Sequence, residues 1–275
     1  MAELPELEIL RRDADKELSG RKVKTVEVAV PAVVKRNTNK KIFASKLEGQ
    51  KLEGVSRVGE TLVVKLDSGD ALCIVLGDKG RLIRSQTKDV APKGLVATLI
   101  FTQHGGVRVV DPSKQAELFV IPQDEVAETA GQSGFDLADA PISWTTFGER
   151  LIRRQGKLKS ILMDPSFLVG VGTMYSDEIL FEAGLRFDRT PQSLSTQEIR
   201  RLYRATIEII HEAIKHGGST VGPDGWTDLT GKSGGYSPML AVYGRDGQMS
   251  PRARGPVVKA RFGNGTTYYC EQSQM

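Results

Sequence analysis

Apolar residues near the start of the chain recur with the spacing of a helix. The members of this stripe are Leu4, Leu7, Leu10, Ala14 and Leu18. Pro5 stands where a helix can begin, and Gly20 stands just beyond its end. The pattern therefore predicts one amphipathic helix from Pro5 to about Leu18.

Between residues 23 and 120 the pattern changes to short runs rich in β-branched residues, separated by glycine-containing turns. The runs cover residues 23–30, 61–66, 71–76, 97–101 and 107–110. β-Branched side chains favour the pleated surface of a sheet. Many short strands in succession predict a sandwich or a barrel.

Helical spacing returns in the second half of the chain. Residues 122–141 carry little apolar periodicity, which is typical of a linker between domains. The helices predicted after it cover residues 144–155, 160–163, 174–183 and 196–216. Ser195 and Glu198 resemble a capping box at the start of the last helix, and Gly217 with Gly218 ends it.

The tail combines glycine with β-rich segments. Residues 222–235 are rich in glycine and suit a mobile loop. Two β-rich pieces between Val242 and Tyr269 flank Gly263-Asn264-Gly265, which is the pattern of a hairpin.

Composition limits the class of protein. A chain of 275 residues with 39% hydrophobic and 26% charged residues can bury one or two cores and is neither disordered nor fibrous. Its acidic start does not fit a signal peptide, and it has no apolar run of the roughly 18 residues that span a membrane. We expect a cytoplasmic protein without membrane contact. Cys73 and Cys270 are expected to be unpaired thiols.

The charge is mildly basic. The chain carries 38 basic and 34 acidic residues, for a net charge of +4 and a pI near 9.0. Such a balance permits a polyanion partner if the cations share one face. Each basic cluster alone, for example Arg153-Arg154 with Lys157 and Lys159, is also typical of an ordinary solvated surface.

The first residues offer a covalent catalyst. Removal of Met1 before the small Ala2 leaves an α-amine next to the carboxylate of Glu3. An N-terminal amine has a pKa of about 7.7–8.0, so a useful fraction is unprotonated near neutral pH and can attack an aldehyde. If Met1 is retained, this nucleophile does not exist.

Four ordered segments resemble the formamidopyrimidine-DNA glycosylase and endonuclease VIII (Fpg/Nei) family of base-excision repair proteins. Ala2-Glu3-Leu4-Pro5-Glu6-Leu7-Glu8 is similar to the family's Pro-Glu-Leu-Pro-Glu-Val-Glu. Residues 159–183 resemble its helix–two-turn–helix, and residues 217–220 and 242–245 match further segments. The likeness spans nearly the whole chain.

The resemblance implies an α+β fold. It consists of an N-terminal β-sandwich with an N-terminal helix, followed by a helical helix–two-turn–helix domain with a C-terminal zincless β-hairpin finger. The expected domains are residues 1–121, a linker over 122–141, the helical domain over 142–235 and the finger over 236–275. In the family, DNA lies in a cleft between the domains with the target nucleotide rotated out of the helix.

The resemblance also assigns roles to single residues. Ala2 becomes the nucleophile that attacks C1′ of the sugar, Glu3 handles protons, and Glu6 completes the catalytic set. The DNA-binding set is Lys159, Gly170, Gly172, Thr173, Tyr243, Arg245 and Arg261. Glycine N–H groups and a helix N-terminus suit a phosphate, although Gly170-Val171-Gly172 also fits a tight turn without a ligand. Lys159 alone also fits a plain surface lysine.

Several positions depart from the family pattern. The family's N-terminal proline is Ala2, a primary amine that still forms an imine. Its hairpin lysine is Glu60, so that attraction for a phosphate becomes repulsion, and its asparagine after Gly-Val-Gly is Thr173. The side chains that fill the gap left by a rotated nucleotide are replaced by Asp78 and by Ser113-Lys114-Gln115.

The finger departs most clearly. The positions of the family's zinc-binding cysteines carry Ser250, Ala253, Cys270 and Ser273. One thiolate cannot hold structural zinc, so we expect neither a metal nor a cofactor. Packing of the apolar side chains would keep the hairpin folded, and these are Val257, Val258, Phe262, Tyr268 and Tyr269. The finger arginine of the family aligns with Gly265, and Arg261 is the nearest substitute.

Two classes of function follow. The first is a DNA glycosylase with AP-lyase activity that works through the N-terminal amine by Schiff base and β-elimination. The second is a catalytically impaired protein of the same fold that binds damaged or abasic DNA. A remoter alternative is recruitment of the scaffold to a protein partner. The expected partner is double-stranded DNA with damaged or abasic sites, bound by a monomer in the cytoplasm at the nucleoid.

Overall fold

The computed structural model describes residues 2–86, 88–103, 105–222, 225–252 and 255–275. These residues divide into two units. The first unit contains Glu6–Gly131 and Gly222–Gly234, together with the chain start at Ala2. The second contains Glu3–Pro5, Gln132–Val221 and Gly235–Met275. Met1 and Ala253, which the sequence analysis discusses, lie outside the described residues.

Two four-stranded antiparallel sheets build the first unit. Their strands are β1 (Val23–Val28), β2 (Leu52–Val58), β3 (Thr61–Leu66), β4 (Asp70–Val75), β5 (Arg81–Ser85), β6 (Leu95–Phe101), β7 (Gly106–Val110) and β8 (Glu117–Pro122). One sheet has the order β1-β6-β7-β5 and the other β2-β3-β4-β8. Apolar side chains from both sheets form one core, which confirms the predicted sandwich.

Helices cover part of this unit. The predicted N-terminal helix is α1 (Leu4–Leu18), and its Leu7, Leu10, Ala14 and Leu18 lie in the sandwich core. A second helix, α2 (Lys40–Leu47), was not predicted because its lysines resemble a surface patch. Asn39 caps α2 by accepting the N–H groups of Lys41 and Ile42.

The second unit is mainly helical. It contains α4 (Trp144–Ile152), α5 (Leu158–Leu162), α6 (Thr173–Ala183) and α7 (Thr196–Lys215). Ser195 and Glu198 form the predicted capping box at the start of α7. The core that these helices share includes Leu4, which belongs to this unit although α1 continues into the first.

A β-hairpin ends the chain, as predicted. Its strands are β9 (Val258–Phe262) and β10 (Gly265–Tyr269), joined by the two-residue turn Gly263-Asn264. Tyr269 and Phe262 pack on Phe187, with ring centroids 5.0 and 5.7 Å away. Val257 is buried with Cys270 in a small cluster beside the hairpin. Apolar packing therefore supports the finger.

The predicted linker and loop contain more structure than expected. A short helix, α3 (Val126–Ala130), lies inside residues 122–141, and its Val126 packs with Phe119 on the outer face of the β2-β3-β4-β8 sheet. Within the glycine-rich loop, Trp226 and Leu229 are buried in the core of the first unit. The domain boundaries expected from the sequence stay a prediction.

Both cysteines, Cys73 and Cys270, are buried and unpaired, in agreement with the sequence. No helix in the described part of the chain is both long and apolar enough to cross a membrane.

Candidate functional site

Ala2 borders a cavity of about 380 Å³ in the first unit. Its side chain is half-buried. The other lining residues are Asp78, Lys79, Gly80, Arg81, Lys93, Pro112 and Trp226. Three cations face one carboxylate in this lining, which makes the cavity attractive to an anion.

Glu3 binds the N-terminus of α6 in the second unit. Its Oε2 accepts the N–H groups of Gly172 at 2.7 Å and Tyr175 at 3.2 Å, and its Oε1 accepts that of Met174 at 2.9 Å. The side chain is only 2% exposed. A carboxylate satisfies the orphan donors of a helix start and is stabilised by the helix dipole. Glu3 therefore acts as the cap of α6.

Gly170 fixes the next residue of the chain start. Its carbonyl oxygen accepts the N–H of Leu4 at 2.7 Å. The residue has φ of +64°, and a Cβ there would lie 3.1–3.2 Å from atoms of Leu4. Glycine is required both by the backbone conformation and by the close approach. Glu3 and Leu4 are thus fastened at two neighbouring points.

Gly170 and Gly172 therefore interact with the N-terminal segment in this structure. The N–H of Gly172 donates to the Glu3 carboxylate, although it was predicted to donate to a phosphate. Contact of either glycine with DNA stays a prediction.

Lys159 is fully buried in the second unit. Its Nζ donates to Asp177 Oδ1 at 2.5 Å and to the carbonyl oxygen of Thr173 at 3.2 Å. Burial lowers the pKa of Lys159 and raises that of Asp177, while their mutual attraction opposes both shifts. The ammonium group is 0% exposed, so the structure gives it an internal partner; phosphate contact stays a prediction.

Two acidic neighbours on α6 hold the finger. Asp177 accepts the Thr267 hydroxyl at 2.5 Å and the N–H of Tyr268 at 2.9 Å. Glu178 accepts three consecutive N–H groups, those of Ala241, Val242 and Tyr243, at 2.7–2.9 Å. Burial raises the pKa of Glu178, and these N–H groups counteract the shift. No local pattern in the sequence indicates this role, because the partners of the pair in the finger lie 63 to 91 residues away.

Thr173 and Tyr243 lie together at the start of α6. Burial raises the pKa of Tyr243 and the Thr173 side chain opposes that shift, and both residues are half-buried. The Tyr243 ring packs on Tyr268 of the hairpin with centroids 5.1 Å apart. Two of the predicted DNA-binding residues thus lie near each other, and their contact with DNA stays a prediction.

The two predicted arginines lie elsewhere in the second unit. Arg245 donates to the carbonyl oxygen of Leu240 at 2.8 Å and to Gln248 Oε1 at 3.0 Å. Arg261 is exposed on β9, with its Nε 3.4 Å from the carbonyl oxygen of Gly263. The guanidinium of Arg261 is accessible to a phosphate.

Glu6 lies in the first turn of α1 and is 0% exposed. A carboxylate in that turn is favoured by the helix dipole. A buried place in the first turn is compatible with a role in positioning the N-terminal segment, and the catalytic role of Glu6 stays a prediction.

Two of the positions that depart from the family pattern, Glu60 and Gly265, are exposed. Glu60 lies in the turn between β2 and β3, and Gly265 begins β10. The turn after β7 is polar: Asp111 accepts the N–H groups of Ser113, Gln115 and Ala116 at 2.5–2.9 Å. Burial raises the pKa of Asp111, and these hydrogen bonds with that from the Ser113 hydroxyl bring it below its usual value.

Three positions aligned with zinc ligands come together. Ser273 Oγ lies 3.4 Å from Cys270 Sγ and 3.3 Å from Ser250 Oγ. Ala253, the fourth, is outside the described residues. Burial raises the pKa of Cys270, but hydrogen bonds from both serines and from the backbone bring it below its usual value. The described residues contain no group of three His, Cys, Asp or Glu side chains placed to hold a metal.

Comparisons with known proteins agree over the full length. The chain matches the family model of the formamidopyrimidine-DNA glycosylase N-terminal domain over residues 1–118 and that of its H2TH domain over residues 134–224. The formamidopyrimidine-DNA glycosylase of Pelotomaculum thermopropionicum is 31% identical over 278 residues, which cover 100% of this chain and 99% of the relative. That of Bacillus cereus is 29% identical, covering 98% of each.

Solved structures give the same result. A complex of Lactococcus lactis Fpg with DNA containing an abasic site has a TM-score of 0.92 at 26% identity, and 100% of each chain is covered. A mutant of that protein in complex with DNA containing Fapy-dG also has a TM-score of 0.92.

Proposed function

The chain belongs to the formamidopyrimidine-DNA glycosylase family, and from that premise we propose that the α-amine of Ala2 carries out its chemistry. The protein is a DNA repair enzyme that binds damaged DNA, with DNA N-glycosylase and AP-lyase activity. A catalytically impaired binding protein is not favoured, because full-length relatives are glycosylases.

One observation carries the proposal: Ala2 borders a cavity lined by three cations. The free amine adds to C1′ of the target nucleotide, and the bond from C1′ to the base breaks, so that the base leaves with a proton from the amine. The bond from C1′ to O4′ then breaks, the second amine proton passes to O4′, and an imine links Ala2 to C1′ of the opened sugar. Loss of a C2′ proton then expels the 3′ phosphate by cleavage of the C3′–O bond. Water finally hydrolyses the imine and frees the amine. A primary amine supports each step.

Fastening of the next two residues supports this role. Glu3 holds three N–H groups of the α6 start, and Leu4 donates to Gly170. A nucleophile held in one place loses little freedom when the substrate arrives. Glu3 is the carboxylate nearest in sequence to the amine, and we propose that it accepts protons during the reaction. Glu6 supports the same segment.

The proposed DNA contacts divide into two groups. Thr173, Tyr243, Arg245 and Arg261 provide hydroxyl and guanidinium donors for phosphates. Lys159, Gly170 and Gly172 act through the internal hydrogen bonds that shape the start of α6. We also propose that the protein acts as a monomer in the cytoplasm, on nucleoid DNA. The family of DNA repair enzymes supports this location.

Borohydride trapping tests the nucleophile. The protein is produced with a cleavable N-terminal extension and incubated with DNA that contains one abasic site, before and after the extension is removed to expose Ala2. Borohydride reduces an imine to a stable covalent adduct. We expect an adduct only after cleavage, and peptide mapping should place it on Ala2.

The two forms differ only in the extension, so each is the control for the other. Equal trapping by both forms would show that a lysine, and not the α-amine of Ala2, forms the imine. Tight binding to abasic DNA with no trapping in either form would support the non-catalytic alternative.

A further inference from the structure

Two departures from the family pattern, Ala2 and Asp78, line the same cavity. Ala2 stands where the family has proline, so the proposed nucleophile is a primary amine. Asp78 stands where the family has a side chain that fills the gap in the DNA, so the cavity gains a negative charge. The chemistry of the covalent intermediate links the two changes.

The class of the amine sets the charge of the imine. A secondary amine has one hydrogen to lose, so its imine carries a positive charge at every pH. The primary amine of Ala2 loses both hydrogens, and its imine is neutral until the nitrogen takes up a proton. An imine nitrogen is a weaker base than its parent amine, whose pKa is about 7.7–8.0, so the neutral form dominates near neutral pH.

Elimination requires the charged form. When C2′ loses its proton, the electron pair of that bond moves towards C1′, and a positively charged nitrogen takes up the displaced C=N electrons to give an enamine. The enamine then expels the 3′ phosphate by cleavage of the C3′–O bond. A neutral imine is a poor acceptor for these electrons. A lyase that uses a primary amine therefore needs a means of keeping the imine protonated.

Asp78 is the one anion among the described residues that line this cavity. The other charged lining residues, Lys79, Arg81 and Lys93, are cations. Like charges disfavour a protonated nitrogen, and an opposite charge favours it. Asp78 is exposed, and its carboxylate has no hydrogen bond or ion pair within the part of the chain that the structure describes. This carboxylate is therefore available to a new positive charge.

The turn that carries Asp78 is tightly packed. A Cβ at Gly77 would lie 3.1 Å from Cβ of Gln115. A Cβ at Gly80 would overlap the carbonyl oxygen of Leu76. These close approaches fix the path of the backbone on both sides of Asp78. A charge that is already in place needs no reorganisation when the intermediate forms.

We propose that the Asp78 carboxylate keeps the imine nitrogen of Ala2 protonated during elimination. The nitrogen takes one proton from water, C2′ loses one to Glu3, and Asp78 stays an anion throughout. The carboxylate thus stabilises the positive charge that proline would carry permanently. The inference rests on the proposed lyase function.

The pH profile of strand cleavage tests this role. The substrate is duplex DNA with one abasic site, and the protein is in excess so that a single turnover is measured. Asp78→Asn should move the profile to lower pH by about one unit, because both the protonated imine and the protonated amine lose an opposite charge. Above the optimum, cleavage should be about tenfold slower than in the unmodified protein. Below the optimum, cleavage should be retained.

Two single variants provide controls. Asp124→Asn removes the same charge from an exposed site in the same unit that does not line the cavity, and its profile should equal that of the unmodified protein. Asp78→Glu keeps the charge and should keep the unmodified profile. A loss of structure would slow cleavage at every pH and would not shift the optimum.

A change of amine tests the cause. Ala2→Pro makes the imine positively charged at every pH, so the decline of the rate on the alkaline side should disappear. Addition of Asp78→Asn to this variant should then leave the rate above the optimum unchanged. Mass spectrometry checks that Met1 has been removed from each protein.

The outcomes separate this inference from the function on which it rests. An Asp78→Asn profile equal to that of Asp124→Asn, or an equal loss of alkaline activity on Asp78→Asn with Ala2 and with proline at the chain start, would overturn the role of Asp78 and leave the lyase intact. Absence of cleavage by the unmodified protein at every pH would overturn the proposed function itself.

Discussion

A single carboxylate, Glu3, connects the chain start to the helix that follows the glycine turn. Both of its oxygens accept N–H groups, and the side chain is buried. An amide in its place turns one acceptor into a donor that faces an N–H group. The hydrogen-bonding requirement at this position is therefore for a carboxylate, independently of any role in catalysis.

Glu3→Gln should destabilise the second unit by about 1–3 kcal/mol, the cost of a buried donor left without its acceptor. Thermal unfolding measures the loss, and hydrogen exchange should show faster exchange at Met174 and Tyr175. Glu149→Gln is the control, because Glu149 is exposed on α4 of the same unit. Equal stability of the two variants would contradict the capping role.

Among the helices and strands, the sequence predicts those whose signals are local. The start of α7 follows from its cap, and the C-terminal hairpin follows from its glycine turn. β2 was missed because a register shift between Leu52 and Gly54 interrupts its alternation. β5 was missed because Arg81–Ser85 is short and carries two arginines.

The part of the candidate site that the sequence did not predict depends on long-range contacts. The sequence showed that Ala2 and Glu3 are adjacent, but not that Trp226 reaches the cavity beside Ala2. In the same way, Asp177 and Glu178 have the appearance of ordinary helical acids until their partners are known. Periodicity describes which face of an element is apolar, whereas tertiary structure decides which distant segment covers it.

The α7 cap predicts a pH dependence. Hydrogen bonds from Arg189 and Ser195 lower the pKa of Glu198 to about 2 from 4.5. The native state therefore keeps this charge at pH values where the unfolded chain binds a proton, and its contribution to stability is lost as pH falls from 4.5 towards 2.

Glu198→Gln should lower the free energy of unfolding by about 1 kcal/mol near neutral pH, as for loss of a cap. The difference from the unmodified protein should shrink on acidification, measured by denaturant titration at several pH values. Glu208→Gln removes a charge from an exposed site on the same helix and provides the control. A difference that grows in acid would contradict the sign.

Side chains of α6 hold the finger through buried hydrogen bonds. Glu178→Gln replaces one of the two acceptor oxygens by a donor, so at least one of the three N–H groups, those of Ala241, Val242 and Tyr243, loses its acceptor and the finger should be destabilised by about 1–3 kcal/mol. Hydrogen exchange at these amides measures the effect, and DNA affinity should fall with it. A chelator should leave the unmodified protein unchanged; inactivation by chelator would show that metal holds the finger.

The Ser250, Cys270 and Ser273 cluster predicts that zinc binding can be restored. Replacement of Ser250, Ala253 and Ser273 by cysteine gives four thiols with Cys270, the ligand number of a structural zinc site. We expect one equivalent of zinc by metal analysis and a tetrahedral cobalt spectrum. The variant with only Ser250→Cys and Ser273→Cys should bind more weakly. Absence of metal in the four-cysteine variant would contradict the alignment of the finger.

At the scale of the whole molecule, each unit has its own hydrophobic core, but neither is a single stretch of chain. The sandwich core includes Trp226 and Leu229, and the helical core includes Leu4. The first unit is therefore complete only after more than two hundred residues, when Gly222–Gly234 joins it. A truncated chain that ends at Gly131 would lack Trp226 and Leu229, and with them part of the core and of the cavity lining.

The charge of the whole molecule predicts how DNA binding responds to salt. A net charge of +4 is too small to bind a polyanion without local concentration of cations. Arg245 and Arg261, which we propose to contact phosphates, supply part of it, and Lys79, Arg81 and Lys93 lie together around the Ala2 cavity. Each phosphate neutralised releases counterions, so affinity for duplex falls with a slope of about 0.9 per contact in a plot of log K against log salt.

Arg261→Gln should therefore reduce the slope by about 0.9. Lys24→Gln, which changes an exposed lysine on β1, should leave the slope unchanged. Affinity measured from low to physiological salt separates the two, and equal slopes would mean that Arg261 does not contact a phosphate.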